Sequence, residues 1–210
     1  MKRHLLSAKK IGLKRLSHTF VSRSALCALM LITGCSVAMT NPLSLFGEGR
    51  VVRNTFPLKF KKHNFGAYCF NTIGCKVLYA GMYHIRRDEI EVTPPPPLDY
   101  LNRVSASTIA IENFPPPAVV TWRSLDGTSH EAKVDIGAIF KDQRILHHVP
   151  QDEIPTETRP YSSVDIIVVI NDHTLSVYMK TEIYLKNPRD PSNPHSNMAH
   201  EMTLAYTHTY

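Results

Sequence analysis

Several signatures of chemistry are missing from this chain of 210 residues. There is no G-x-S-x-G, so the strand-turn-helix elbow that presents a hydrolase serine is absent, and Ser124 in Trp122-Arg123-Ser124-Leu125-Asp126-Gly127 reads as the shoulder of a hairpin. The nine glycines are scattered and none falls in G-x-x-x-x-G-K, which removes the glycine-rich phosphate cradle. No H-E-x-x-H occurs; His147 and His148 are adjacent and would point to opposite faces of a strand, and His195 and His200 lack a partner Cys. Asp142, His147, Asp152 and Glu153 make an outside candidate for a loop metal site, although nothing in the sequence fixes them together. The acidic groups Asp88-Glu89-Glu91 and Asp152-Glu153 sit beside prolines in expected loops, and so lack the fixed separation that paired acid/base carboxylates need. Internal repeats and heptads are absent as well. We expect no enzyme activity, no metal and no cofactor.

Long apolar runs are also lacking. The longest near the N-terminus, Ala25 to Ile32, is eight residues and would make about 12 Å of helix, against the roughly 30 Å of a bilayer core. It follows Lys2, Arg3, Lys9, Lys10, Lys14, Arg15 and Arg23 and runs into Leu31-Ile32-Thr33-Gly34-Cys35. A basic segment, a short apolar core and small residues before a cut make a secretory signal. The final residues resemble the bacterial lipobox, in which an apolar residue, a small residue and Gly or Ala precede a Cys that is lipidated. That resemblance implies residues 1–34 as a lipoprotein signal peptide and Cys35 as the acylated first mature residue. An uncleaved anchor and an ordinary secretory signal are the alternatives. Ser36 in the next position resembles lipoproteins sorted to the Gram-negative outer membrane, so the expected location is its periplasmic face, held by acyl chains.

The net charge of +6 suggests phosphate binding until its position is considered. Residues 1–34 hold seven Lys and Arg and no Asp or Glu; the remaining 17 basic residues meet 18 acidic ones. Lys59, Lys61 and Lys62 are the densest basic group that is left, and read as the solvated face of a strand. Nucleic-acid binding is therefore not expected. Residues 35–54 show no apolar period and contain Asn41-Pro42 and Gly47-Glu48-Gly49, the composition of a tether. Residues 55–210 suit one domain.

In that domain the apolar period is two. Phe56 to Lys61 alternates. Ala67 to Phe70 and Lys76 to Tyr79 flank a hairpin turn expected at Asn71 to Gly74, and Ser107 to Glu112 is another strand candidate. Ala118 to Arg123 and His130 to Val134 flank Asp126-Gly127, the best hairpin signal in the chain. Val164 to Ile170 and Thr174 to Leu185 flank Asn171-Asp172-His173, and Ile166 to Ile170 is apolar throughout, as in a strand buried on both faces. Helices are expected at Ile136 to Arg144 and, capped by Asn197, at Met198 to Ala205. Pro94 to Pro97, Pro115 to Pro117 and Pro150 to Pro160 read as loops. The expected fold is mainly β, an antiparallel sandwich-like domain with one or two short helices.

Of four cysteines, Cys27 falls in the apolar run and Cys35 at the lipobox, leaving Cys69 and Cys75. In an oxidising compartment this pair is most simply a disulfide, with two separate thiols or a redox pair as rivals.

Trp122 to Gly127, continuing through His130 to Phe140, resembles the small periplasmic lipoproteins that act as immunity proteins against type VI secretion lipase effectors. Phe65-Gly66-Ala67-Tyr68-Cys69, Cys75 and the tail Ala205 to Tyr210 add to the likeness. The resemblance implies a non-enzymatic inhibitor whose partner is a phospholipase effector. A structural or assembly lipoprotein of the envelope is the alternative. Candidate partner-binding residues are Trp122, Arg123 and Asp126; Trp122, the only tryptophan, is either a core residue or an interface anchor.

Cys35→Ala is expected to abolish incorporation of radioactive fatty acid and to release the body from the membrane fraction. Labelling that persists in the variant removes Cys35 as the lipidation site.

Overall fold

The computed structural model describes residues 50–161 and 163–210; the expected signal peptide, Cys35 and most of the expected tether lie outside them. Strand β1 (Val52–Arg53) pairs with β8 (Glu157–Thr158), so ordered pairing begins before residue 55, where the tether was expected to end.

Two larger sheets form the body. One has the order β11-β10-β9-β2-β5, built from β2 (Lys62–Phe70), β5 (Thr108–Glu112), β9 (Ser163–Asn171), β10 (Thr174–Tyr184) and β11 (Met198–Thr209). The other has the order β4-β3-β6-β7, from β3 (Thr72–Tyr79), β4 (Met82–Val92), β6 (Ala118–Ser124) and β7 (Ser129–Val134). All pairings are antiparallel except β2 with β9. One buried cluster draws side chains from both sheets, among them Phe65, Val77, Val120, Ile166, Ile170 and Val177, which makes the body a mainly β sandwich-like domain.

The alternation in the sequence explains how each strand divides its residues. On β6, Ala118, Val120, Trp122 and Ser124 are buried, while Val119, Thr121 and Arg123 are partly exposed. From Ile166 to Ile170 strand β9 has no polar face because both sides are covered. Ile166, Val168 and Ile170 join the main core, whereas Ile167 and Val169 meet Val104 and the partly buried Tyr68, Phe70, Tyr100 and Tyr178 on the far side. The segment after the Pro94 to Pro97 loop, with the one-turn helix α1 (Tyr100–Arg103), supplies that second cover. Each such aliphatic side chain contributes roughly 1.5–3 kcal/mol on full burial.

Two of the three predicted hairpins form. Asp126-Gly127 turns β6 into β7, with Gly127 at a φ of 87°, and Asp172 turns β9 into β10 at a φ of 52°.

Four local expectations are corrected. The residues Asn71 to Gly74 make no hairpin: Asn71 alone, at a φ of 51°, separates β2 from β3, and those strands belong to different sheets. Gly74, read as part of a turn, lies within β3 at a φ of 64°, where an added Cβ would approach Glu89 Cα to 2.8 Å and the Asp88 carbonyl oxygen to 2.9 Å. The glycine admits the bulge of β4 instead. Cys69 and Cys75 are joined by a disulfide with Cα atoms 6.6 Å apart, so the bond links the two sheets across the Asn71 corner.

The helix expected over Met198 to Ala205 is strand β11, paired along β10 from Thr174↔Thr209 to Tyr184↔Met198. Its apolar residues serve two faces: Ala199 and Ala205 pack on the main core and Met202 on the outer cluster. Hydrogen bonding to the open edge of β10 outweighs a helical spacing of small apolar residues. The helix expected over Ile136 to Arg144 is one turn, α2 (Ile136–Ile139), capped where Asp135 Oδ1 accepts from the Ala138 N–H at 2.9 Å. It stops at Phe140, which is buried edge-on against Phe60, also in the core. Phe56 to Lys61 alternates, with Leu58 and Phe60 buried and Lys59 and Lys61 exposed, yet it forms only a single bridge, Lys59↔Arg144.

The bridged loop spans a sequence separation of 6. Replacing both cysteines by alanine is expected to lower stability by about 2 kcal/mol through added freedom of the unfolded chain. The check is the urea midpoint, alongside non-reducing peptide mapping that joins Cys69 to Cys75 in the parent; an unchanged midpoint overturns the expectation.

Candidate functional site

The two hairpin turns come from opposite sheets and meet at one end of the sandwich. Trp122 Nε1 donates to the Asp172 carbonyl at 2.7 Å, and the Asp172 carboxylate accepts from the Leu125 N–H at 2.8 Å. His173 Nε2 lies 3.5 Å from Asp126 Oδ2, and the Tyr210 N–H reaches the His173 carbonyl at 2.9 Å. Trp122 stacks on His130 with ring centroids 4.9 Å apart and meets Tyr210 edge-on at 5.1 Å. At 4% exposure Trp122 is thus a core residue of this clasp, and Asp126 is exposed but engaged in its own turn.

Ser124, His130 and Asp126 stand together here, a set of residue types that invites comparison with a nucleophilic triad. Ser124 Oγ is 2.5 Å from Asp126 Oδ1 and 3.0 Å from His130 Nε2. The Ser124 hydroxyl, followed by the Thr128 N–H, holds the Asp126 carboxyl down at about 2, so it is ionised and takes the single hydroxyl proton. His130 Nε2 must then donate to Oγ rather than accept from it. A serine base needs the reverse polarity, with the acid orienting the imidazole instead of binding the serine. Ser124 is also fully buried. The trio closes a turn.

Among the described residues no group of three or more His, Cys, Asp or Glu is placed to hold a metal. His148 pairs with Glu201 at 2.9 Å and His200 faces Glu182 at 3.3 Å; Asp152 and Glu153 lie in a 3-10 turn. Asp88, Glu89 and Glu91, expected in a loop, are on β4.

Arg123 is the candidate that faces outward. It lies on β6, between Ile73 of β3 and Ser129 of β7, on the solvent side of the four-stranded sheet. Its side chain crosses β3 to the bulge of β4, where Nη2 donates to the Glu89 carbonyl, while its buried Nε has no hydrogen-bond partner. The guanidinium borders an open pocket of about 330 Å³ whose lining includes Ile73, Lys76, Arg87, Glu89 and Glu131. Lys76, Arg87 and the β4 bulge were not singled out in the sequence, because the irregular register that places Arg87 opposite Cys75 and Val92 opposite Ile73 has no local signature.

The second outward feature is an edge. Among the described residues, strand β4 ends the four-stranded sheet and β5 ends the five-stranded one, each paired on one side only. The two edges approach where Thr108 Oγ1 lies 3.4 Å from His84 Nδ1. Met82, Tyr83, Ile90 and Val92 on β4 and Ile109 on β5 are exposed, Ile90 by 88%. Comparison with protein-family models, with curated proteins and with solved structures yields no match.

Among the described residues, two titratable groups in contact are enclosed, His63 and Tyr79. His63 is 0% exposed, with Nδ1 2.7 Å from Asn113 Oδ1 and Nε2 2.9 Å from the Tyr79 hydroxyl. Asn113 Oδ1 can only accept, so Nδ1 carries the proton and Nε2 accepts from Tyr79, the neutral tautomer. Burial lowers the His63 pKa below 6.5, only partly offset by Asn113; burial likewise lowers His84 and His147. The folded state therefore holds fewer protons than the unfolded one. Stability from these groups is complete above 6.5 and is lost as the pH falls through 6.5 toward the folded values, by at most about 1.4 kcal/mol per pH unit for each proton. Thermal denaturation across that range is expected to show the decline. His63→Gln should be less stable at neutral pH but decline less steeply, and an identical slope would remove His63 from the account.

Proposed function

We propose that this chain is a lipid-anchored periplasmic binding protein, an immunity protein that inhibits a type VI secretion phospholipase effector. The anchor is Cys35 and the site of action is the periplasmic face of the Gram-negative envelope, in keeping with the lipobox resemblance. The observation that carries a binding role is the long and partly apolar edge of β4, unpaired among the described residues, beside the edge of β5. Such an edge offers free main-chain donors and acceptors together with apolar side chains, which is what strand addition by a partner uses. The chemistry of Ser124 supports the same reading, since its hydroxyl proton is committed to Asp126. Lipid anchoring suits an inhibitor of a membrane-degrading enzyme, because it confines the inhibitor to the surface under attack and raises its local concentration. The specific assignment to lipase effectors rests on the Trp122 to Phe140 resemblance.

The test is co-expression of a periplasm-directed lipase encoded beside this chain, with and without the chain, reading lysis and co-purification. Protection together with a stable complex is expected. Undiminished lysis with no complex rejects the inhibitor reading and leaves a structural or assembly lipoprotein.

A further inference from the structure

We infer that the pocket on the outer face of the four-stranded sheet is a receptor for a carboxylate group, with Arg123 as its principal ligand. The inference deepens the binding role proposed above by naming the chemistry that the partner presents.

Arg123 is a held cation without a counter-charge. Its backbone lies on β6, an internal strand, so its root is fixed by ladders on both sides. Its tip is fixed by the Nη2 bond to the Glu89 carbonyl. Nε is buried without a partner, and among the described residues no Asp or Glu forms an ion pair with this guanidinium. A partly buried guanidinium is ordinarily matched by an anion, because the unsatisfied donor and the uncompensated charge both cost free energy. The neighbouring cations are already engaged: Arg87 with Glu91, and Lys76 with Glu89 at 3.8 Å. Arg123 is the one for which a ligand has to be supplied. Its conformational cost of ordering is largely met before binding, which favours affinity.

A carboxylate fits better than a phosphate. The planar guanidinium fork matches a carboxylate's two oxygens. Glu89 and Glu131 on the pocket wall would repel a dianion more strongly than a singly charged group. Glu131 is an internal rival, since it is paired with Thr121, two residues before Arg123 on the same face, whereas the Glu89 carboxylate faces Lys76.

Two protein sources share this chemistry, an acidic side chain and a chain terminus. Full-length protein, acylated in detergent or carrying Cys35→Ala, is labelled with 15N-arginine and titrated at low salt. The probes are N-acetylglutamate N-methylamide for a side chain, N-acetylglycine for a terminus, the glutamine analogue as neutral control, and inorganic phosphate. A saturable shift of the Arg123 Nε–H resonance with either carboxylate, absent with the glutamine analogue and lost in Arg123→Lys, is the expected result; the arm that saturates identifies the source. No saturable shift, or tighter binding of phosphate, overturns the inference. So does a shift of the same resonance in unliganded Glu131→Gln, which would show that Glu131 already serves as the partner. None of these readings requires a lipase, so they stand apart from the inhibitor test. In any complex that does form, Arg123→Met is expected to weaken binding by about 10- to 100-fold. A complex indifferent to Arg123→Met would keep the inhibitor role and discard this site.

Discussion

At Asn71 the chain leaves one sheet and enters the other with a single residue between strands, and the Cys69–Cys75 bridge closes over that corner. The rest of the architecture depends on the crossing. Because β3 does not return along β2, the flanks of β2 are open to β5 on one side and to β9 on the other, the latter in parallel. Because β3 starts a new sheet, it can sit between β4 and β6. Asparagine supports this corner because its short polar side chain tolerates the left-handed region, and its Nδ2 donates to Asn171 Oδ1 at 2.8 Å, which ties the corner to the end of β9. Thr93 and Thr72 add a second tie, with Thr72 N–H bonded to Thr93 Oγ1 at 2.9 Å in a buried setting.

The same end of the sandwich holds the clasp between the two hairpin turns. Asp172 serves it twice, by its carbonyl to Trp122 and by its carboxylate to Leu125. Ser124, His130 and Asp126 there are used in closing the β6–β7 turn, and Asp126 also faces His173 of the other sheet. A site with the residue types of a triad thus has its proton arranged for a turn, and residue type alone does not separate the two outcomes. The polarity of each hydrogen bond does.

Much of this was legible in the sequence wherever the information is local. Asp126-Gly127 and Asn171-Asp172-His173 announce hairpins because a turn chemistry and the flanking period of two agree. The unbroken apolar run of β9 announces burial on both faces, and the second face is indeed covered. The failures share a cause. Gly74 looked like turn punctuation, but its freedom serves the close approach of Asp88 and Glu89 on a strand 14 residues further on. The segment at Met198 carries a helix-like spacing, and it becomes a strand because β10 presents an open ladder. The binding candidates divide in the same way. Burial of Trp122 follows from the period of β6, whereas the position of Arg123 over a pocket depends on the register of β3 against β4, which two irregularities set.

The two sheets differ in what lies outside them, and that difference locates the exposed chemistry. The five-stranded sheet has its outer face covered near β9 by Val104 and Tyr100, and Lys180 is drawn in to the Val104 carbonyl at 2.9 Å. Its polar capacity there is satisfied internally. Among the described residues, no such layer lies over Lys76, Thr121 and Arg123 on the four-stranded sheet, and they are partly exposed across β3 and β6. The buried Nε of Arg123 is an unsatisfied donor unless something outside completes it, and an open edge strand is an association hazard unless something covers it. Both features lie on the same sheet, and β4 contributes to both: its edge residues are apolar and its bulge supplies the carbonyl that holds Arg123. A single protein partner laid along β4 would cover the edge with main-chain bonds and bring a carboxylate over β3 to Arg123. The physical economy of one ligand for two unsatisfied features is the reason to place the proposed partner on this sheet rather than on the clasp at Trp122.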